Sequence, residues 1–252
     1  HIAVCAFARD ALMRTMRIAE QHGFEVVHGI VDSLWLKREG ATIQEYFSLC
    51  REISEEIGVP LTFEGRYKWI VFLPSKMHPK IGVLNRYYGV MENGKIKVRG
   101  IEIRRRDTPQ FVYDAQVEMI NALSSADNSK EFFERIPEAL KVVRDYRQRL
   151  LDGEVSIWDL IVTKHLSKHP KKYKQMVSQV IAAEQLIKEG ADIHAGKNIR
   201  FLFKNAENRR YERRVIAEQL IEKNANPDVK KYLLLLYAAA ASVLSPSGYT
   251  PK

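Results

Sequence analysis

Lys97-Val98-Arg99-Gly100-Ile101-Glu102-Ile103-Arg104-Arg105-Arg106-Asp107 is the stretch on which the reading of this sequence turns. Its first part alternates charged and β-branched residues, the pattern of a strand with one apolar and one wet face. Five of its eleven residues are basic, so the exit of the strand carries dense positive charge. Such an edge can serve only to keep sheets of neighbouring molecules apart. It can equally meet a polyanion such as a nucleic-acid backbone. The sequence on either side of it differs in kind.

Upstream, strand formers dominate. Leu61–Phe63, Trp69–Leu73, Val83–Met91 and Ile96–Ile103 are predicted strands, with Asn93-Gly94 as a type I′ hairpin turn between the last two. Earlier still, Ile2–Gln21 has apolar residues at helical spacing (Val4, Phe7, Ala11, Leu12, Met16, Ala19), with Gly23 to close the helix. Phe24–His28 and Ser33–Leu36 read as short strands joined by the hairpin-sized Gly29-Ile30-Val31-Asp32. Thr42 and Glu45 have capping-box spacing, which predicts a helix from there to Gly58.

Downstream, the pattern turns helical. Thr108 is an expected N-cap with Pro109 at the first helical position. Helices are predicted over about 109–124, 129–151 with a break at Pro137, 156–166, 171–189, 211–224 and 228–243. Ile199–Phe203 is the one clear strand of this half. The fold class that follows is α+β, with a boundary near residue 107 between a part of antiparallel strands with helices and a mostly α-helical part.

The chain has 252 residues, enough for one large or two smaller domains. Its formal charge of +9 favours a polyanionic partner, nucleic acid or an anionic membrane surface. No run approaches the ~18 apolar residues of a membrane span, and Leu233–Leu244 reads as a buried helix. No signal peptide precedes His1, and no initiator Met, as in an excised piece or a processed chain. Cys5 and Cys50 lie on apolar helical faces and read as reduced core thiols, which places the chain in a reducing intracellular compartment. Trp35, Trp69 and Trp158 read as core residues. The seven histidines show no zinc spacing, and there is no Walker loop and no nucleophile elbow.

The Arg99–Asp107 run resembles the "R-G-(L/I)-E-I-x-R-R-D" segment that joins palm to thumb in family B DNA polymerases. Its neighbours then fall in order. Glu64-Gly65-Arg66-Tyr67 resembles the family's "E-G-x-Y" on a palm strand. Asn85-Arg86-Tyr87-Tyr88-Gly89 stands where the family has "K-K-x-Y", which contacts the primer-side duplex. His28-Gly29-Ile30-Val31-Asp32-Ser33-Leu34 stands where it has "Y-G-D-T-D-S-(L/V)", the palm hairpin of catalytic carboxylates. Asp228 and Tyr232 resemble the "Y-D-x-x-Y-Y" start of the last thumb helix. The resemblance implies a C-terminal palm segment over 1–107 and a helical thumb over 108–252.

It also implies what is altered. The first hairpin aspartate is Ile30, its tyrosine is His28, and the two lysines are Asn85 and Arg86, while Asp32 and Tyr88 are kept. Asp32 is then the expected catalytic carboxylate and metal ligand, with Mg²⁺ as cofactor only in an assembled polymerase. Two-metal nucleotidyl transfer needs carboxylates on both metals, and the other comes from an earlier palm strand that this sequence lacks. The isolated chain is therefore expected to be inactive, and to pair with a larger polymerase chain carrying exonuclease, fingers and the remaining palm. Glu64 and Glu102 are expected to support the palm floor without binding metal.

Two further basic clusters, Lys164–Lys174 and Lys204–Arg214, carry aromatic residues among the cations, as suits phosphate contact. With the central run they give the expected primer–template contacts: Arg86, Tyr88, Arg99, Arg104, Arg105, Arg106, Lys164, Lys171, Lys172, Lys174, Arg209, Arg210, Arg213 and Arg214. The expected location is cytoplasmic and nucleoid-associated, with no membrane partner. A second reading is a polymerase relative retired from catalysis, serving as a DNA-binding or scaffolding subunit. A generic basic nucleic-acid-binding module is the third. The tail Pro246–Lys252 has no sliding-clamp peptide.

Overall fold

The capping box foreseen at Thr42 forms in the computed structural model, which describes residues 2–75, 81–222 and 225–249. The Thr42 side chain accepts from the Glu45 backbone N–H, and the Glu45 carboxylate accepts from the Thr42 backbone N–H at 2.7 Å. These bonds, chiefly those from Thr42, hold the Glu45 carboxyl below its ordinary range. They start α2 (Ile43–Ile57), which Gly58 ends in the left-handed conformation. α2 packs against α1 (Ile2–Gln21), and α1 against the antiparallel hairpin of β1 (Glu25–Ile30) and β2 (Ser33–Lys37). Ile18, Ala19, Phe24, Ala41, Leu49 and Ile53 form the core of this assembly. It is the first of two compact units, His1–Tyr67 with Gly82–Leu84.

The second unit, Lys68–Ile81 with Asn85–Lys252, holds the larger core. It takes in most of a three-stranded sheet ordered β3 (Tyr67–Pro74), β4 (Gly82–Met91), β5 (Ile96–Arg99). The helices α3 (Gln110–Ser124), α4 (Ser129–Glu134), α5 (Ile136–Leu151), α6 (Ser178–Lys188) and α7 (Val229–Leu244) follow. α3, α5 and α7 pack on one another. A second sheet, β6 (Val162–His165), β7 (Asn198–Phe203) and β8 (Val215–Ala217), is covered by α6. The fold is α+β.

Several expectations are corrected. Leu61–Phe63 forms no strand, and β5 stops at Arg99, because Gly100 turns the chain with φ +67° and Glu102–Arg104 winds as a 3₁₀ turn. Gly94 is left-handed (φ +79°) while Asn93 is not, so the β4–β5 turn is not type I′. It is the longer loop closed by Gly94 N–H on the Met91 carbonyl (2.8 Å) and Met91 N–H on the Lys95 carbonyl (2.9 Å). Thr108 does not cap α3; its hydroxyl donates to the Glu102 carbonyl at 2.7 Å. The helix expected over 156–166 is a 3₁₀ turn and β6, and 171–177 is not α-helical. Over 211–222 there are 3₁₀ turns around β8, while 223–224 lie outside the described residues. Pairing with β7 overrides local helical preference in β6 and β8. The break in 129–151 falls at Arg135, with Pro137 in the first turn of α5.

Burial corrects others. Val4 and Phe7 of the expected core stripe are exposed, as is Cys5; Cys50 is half-buried, and burial pushes its thiol up. Trp69 is buried, Trp35 half-buried, and Trp158 is 56% exposed. The composition does change at Asp107, but the larger core runs unbroken across it, from Trp69 and Ile101 into Phe111 and Val112.

Candidate catalytic hairpin and nucleic-acid interface

Asp32 stands at the tip of the β1–β2 hairpin. Ile30 pairs with Ser33, which leaves Val31 and Asp32 as a two-residue loop. Val31 takes a left-handed φ of 50°, unusual for a β-branched residue. At Gly29 a Cβ would lie 2.4 Å from Met16 Cε, so a larger residue there would push the tip of the Met16 side chain aside. Asp32 is exposed, and its Oδ1 accepts from the Ser33 hydroxyl at 3.2 Å. His28 sets its ring edge-on to Trp35 and donates a ring N–H to the Leu84 carbonyl at 3.1 Å. Glu64, of the same unit, is exposed and lies outside any strand. Among the described residues, no three His, Cys, Asp or Glu side chains gather as a metal site would require. The described residues of this chain alone do not fit the two-metal centre expected from the hairpin.

In the second unit the central basic run is folded around fixed carboxylates. Arg105 grips Asp107 with two bonds of 3.0 Å, and Lys164 lies 3.8 Å from the same carboxylate. Burial raises the Asp107 carboxyl, but Arg105 and then Lys164 outweigh it and hold it below the ordinary range. Arg99, Arg104, Arg105 and Arg106 are exposed. Gly100 is obligatory: besides its positive φ, a Cβ would sit 2.0 Å from the Asn85 carbonyl oxygen.

Arg86 donates from Nε to the Gly100 carbonyl (3.1 Å) and from Nη2 to Ser242 Oγ (3.2 Å), and lies 3.8 Å from Glu102. Glu102, mostly buried, is also held by Gln116 Nε2 at 2.8 Å. Sequence reasoning missed Gln116. It is fully buried, donates to the Ala239 carbonyl as well (2.9 Å) and accepts from Ile103 N–H (2.8 Å). A lone amide among Val112, Ala115, Met119 and Ile120 on one helix was the available signal. Tyr88 must be withdrawn as a DNA contact. Its side chain is 0% exposed, its hydroxyl donates to the Val243 carbonyl, and burial pushes its pKa up.

The model of DNA polymerase family B matches residues 3–247. The chain belongs to DNA polymerase family B. The DNA polymerase of Archaeoglobus fulgidus is 30% identical over 72% of this chain and 21% of its own length. That of Pyrococcus glycovorans is 24% identical over 98% of this chain and 31% of its own. The family B DNA polymerase structure from Pyrobaculum calidifontis superimposes on 99% of this chain with a TM-score of 0.66 and 24% identity, using 30% of its own chain. The chain thus spans a fifth to a third of the length of these relatives. Family B polymerases generally depend on divalent metal.

The two later clusters of this family B chain lie in the second unit. Lys171, Lys172 and Lys174 are exposed and follow the buried Leu166 that comes just after β6, while Lys164 is half-buried against Asp107. Arg209, Arg210 and Arg213 are exposed on the loop between β7 and β8. Arg214 is half-buried and spends Nε on the Asn208 carbonyl at 2.7 Å. No helix among the described residues is long and apolar enough to cross a membrane.

Proposed function

We propose that this chain works as the C-terminal palm segment (1–107) and thumb (108–252) of a family B DNA polymerase. In this reading it holds primer–template duplex by its phosphates and lends Asp32 to a nucleotidyl-transfer centre completed by polymerase residues outside the sequence. The family match over residues 3–247 carries the reading. Exposure supports it: Arg99, Arg104, Arg106, Lys171, Lys172, Lys174, Arg209, Arg210 and Arg213 keep their side chains on the surface. Arg105 and Lys164, shared with Asp107, serve first to fix the strand exit. Arg86, Glu102 and Gln116 support the segment from within.

The test is a titration of duplex DNA at several salt concentrations. About five neutralised phosphates give a log–log slope of about −4 to −5. Arg104→Ala with Arg106→Ala lowers the affinity evenly across sequences and flattens the slope. A salt-independent titration, or preference for one base sequence, defeats the proposal.

A second reading has its own observation. Ile30 replaces the first carboxylate of the hairpin, and Asp32 has no cluster around it among the described residues. A chain retired from catalysis would keep duplex binding and lose nothing by Asp32→Asn. Primer extension in the presence of the complementary part of a family B polymerase separates the two. Loss of extension in Asp32→Asn supports catalysis, and extension that appears only with Ile30→Asp supports retirement.

A further inference from the structure

Where β5 gives way to the 3₁₀ turn and α3, the second unit has a hollow of about 320 Å³ that the functional reading leaves unassigned. Ile96, Lys97 and Val98 of β5, Ile103 and Arg104 of the 3₁₀ turn, and Tyr113 of α3 line it. Its size suits a small ligand. Its wall is fixed from within. Ile103 N–H donates to Gln116 Oε1 at 2.8 Å, Arg104 N–H to the Ile101 carbonyl at 3.0 Å, and Tyr113 N–H to the Pro109 carbonyl at 3.0 Å. Gln116 lies one turn beyond Tyr113 on α3. Its bond to Ile103 therefore ties the turn that bears Arg104 to the helix that bears Tyr113.

Two groups of this hollow have nothing to bind within the described residues. There the Arg104 guanidinium forms no ion pair or hydrogen bond, and neither does the Tyr113 hydroxyl. The carboxylates nearest in the chain are committed elsewhere: Asp107 to Arg105 and Lys164, Glu102 to Gln116 and Arg86. Arg104 is exposed, and Tyr113 keeps 40% of its surface in water. A guanidinium fork selects a phosphate or a carboxylate. An exposed aromatic face selects a flat ring. Ile96, Val98 and Ile103 favour a ligand that has apolar surface to bury besides its charge.

We propose that this hollow is a nucleoside-phosphate site: Arg104 takes the phosphate, Tyr113 stacks on the base, and the apolar wall receives the sugar and the base edge. The same chemistry recognises a free nucleotide or the terminal nucleotide of a single strand. The inference rests on the functional reading above in one respect, that a chain holding duplex brings strand ends to its surface. Arg104 then serves the phosphate of an unpaired nucleotide as well as that of the duplex.

The experiment uses the chain of residues 1–252 and three DNA probes followed by fluorescence anisotropy. One is a blunt duplex, one carries a tail of about four adenines, and one a tail of abasic sugar-phosphates of equal charge. The adenine tail is expected to bind about tenfold more tightly than the abasic tail. Tyr113→Leu removes that gain and leaves blunt-duplex binding and its salt slope unchanged, while Tyr113→Phe keeps the gain. Deoxyadenosine monophosphate, titrated alone and as a competitor, separates the two sources. Competition with the tail assigns the site to free nucleotides and strand ends alike. A tail gain that the mononucleotide does not touch assigns it to strand ends. Mononucleotide binding that Tyr113→Leu abolishes, without a tail gain, assigns it to free nucleotides.

Equal affinity for the two tails together with no mononucleotide binding overturns the proposal. So does a tail gain that survives Tyr113→Leu. Inorganic phosphate competing as strongly as the mononucleotide overturns it too, since that marks a plain anion site. Failure of the functional reading looks different: the blunt duplex shows no salt-dependent binding, while mononucleotide binding at Tyr113 is read without any duplex.

Discussion

The two compact units differ in how well each closes its own core. The first is built on six buried apolar residues and leaves nearly half of its longest helix in solvent. The second closes a core that runs from Trp69 to Leu244 and fixes its polar interior with specific partners: Trp69 Nε1 on the Ala126 carbonyl, Tyr88 on Val243, and Tyr232 taking Phe203 N–H. The carboxylate-bearing hairpin sits on the poorly closed unit. Small cores supply little stability, so the part of the chain that resembles a catalytic element is also the part most in need of outside support.

Three measurements test that contrast. Leu236 is fully buried in the second unit, and Leu236→Ala is expected to cost about 2–5 kcal/mol there. Hydrogen exchange should quicken in α3 and α7 and stay unchanged in α2. Equal quickening everywhere would mean that the two units unfold as one. Thr42→Ala removes the capping box of α2 and should cost about 0.5–2 kcal/mol, confined to the first unit. Because that unit is the weaker, proteolysis near α2 should rise while cleavage of the helical core does not. The smallest effect concerns Asp107. Its carboxyl is held below the ordinary range when folded, so its stabilising contribution is full above about pH 3.9 and fades as pH falls through the lower folded value. Asp107→Asn should flatten the acid limb of the second unit's unfolding curve and leave the first unit's untouched.

What the sequence made legible follows how local each signal is. The Thr42–Glu45 box, the helix end at Gly58 and the break before Pro137 depend on residues three or four apart, and all form. β7 was legible because Ile199–Phe203 is dense in strand formers. β6 and β8 were not, since four and three residues become strands only by pairing with β7 across long stretches of chain. At the candidate site, Asp32 was placed at a hairpin tip by the turn residues around it, and Arg104–Arg106 at the surface by charge. Tyr88 was misjudged because its burial depends on α7, some 155 positions later. Nothing local distinguishes a tyrosine that meets a phosphate from one that meets the Val243 carbonyl.

Gln116 bears on the order in which the molecule can be made. Its bonds reach 13 and 14 positions back, to Ile103 and Glu102, but 123 positions forward, to Ala239. At synthesis rates of ~5–20 residues per second, the ribosome releases the Ala239 carbonyl roughly 6–25 s after the Gln116 amide. Until then the amide must keep its water, and α3 cannot be sealed without leaving a donor unpaired. The nascent chain is thereby held open along the face that α7 will cover. That interval is long enough for a chaperone or a partner chain to engage it before the last helix docks.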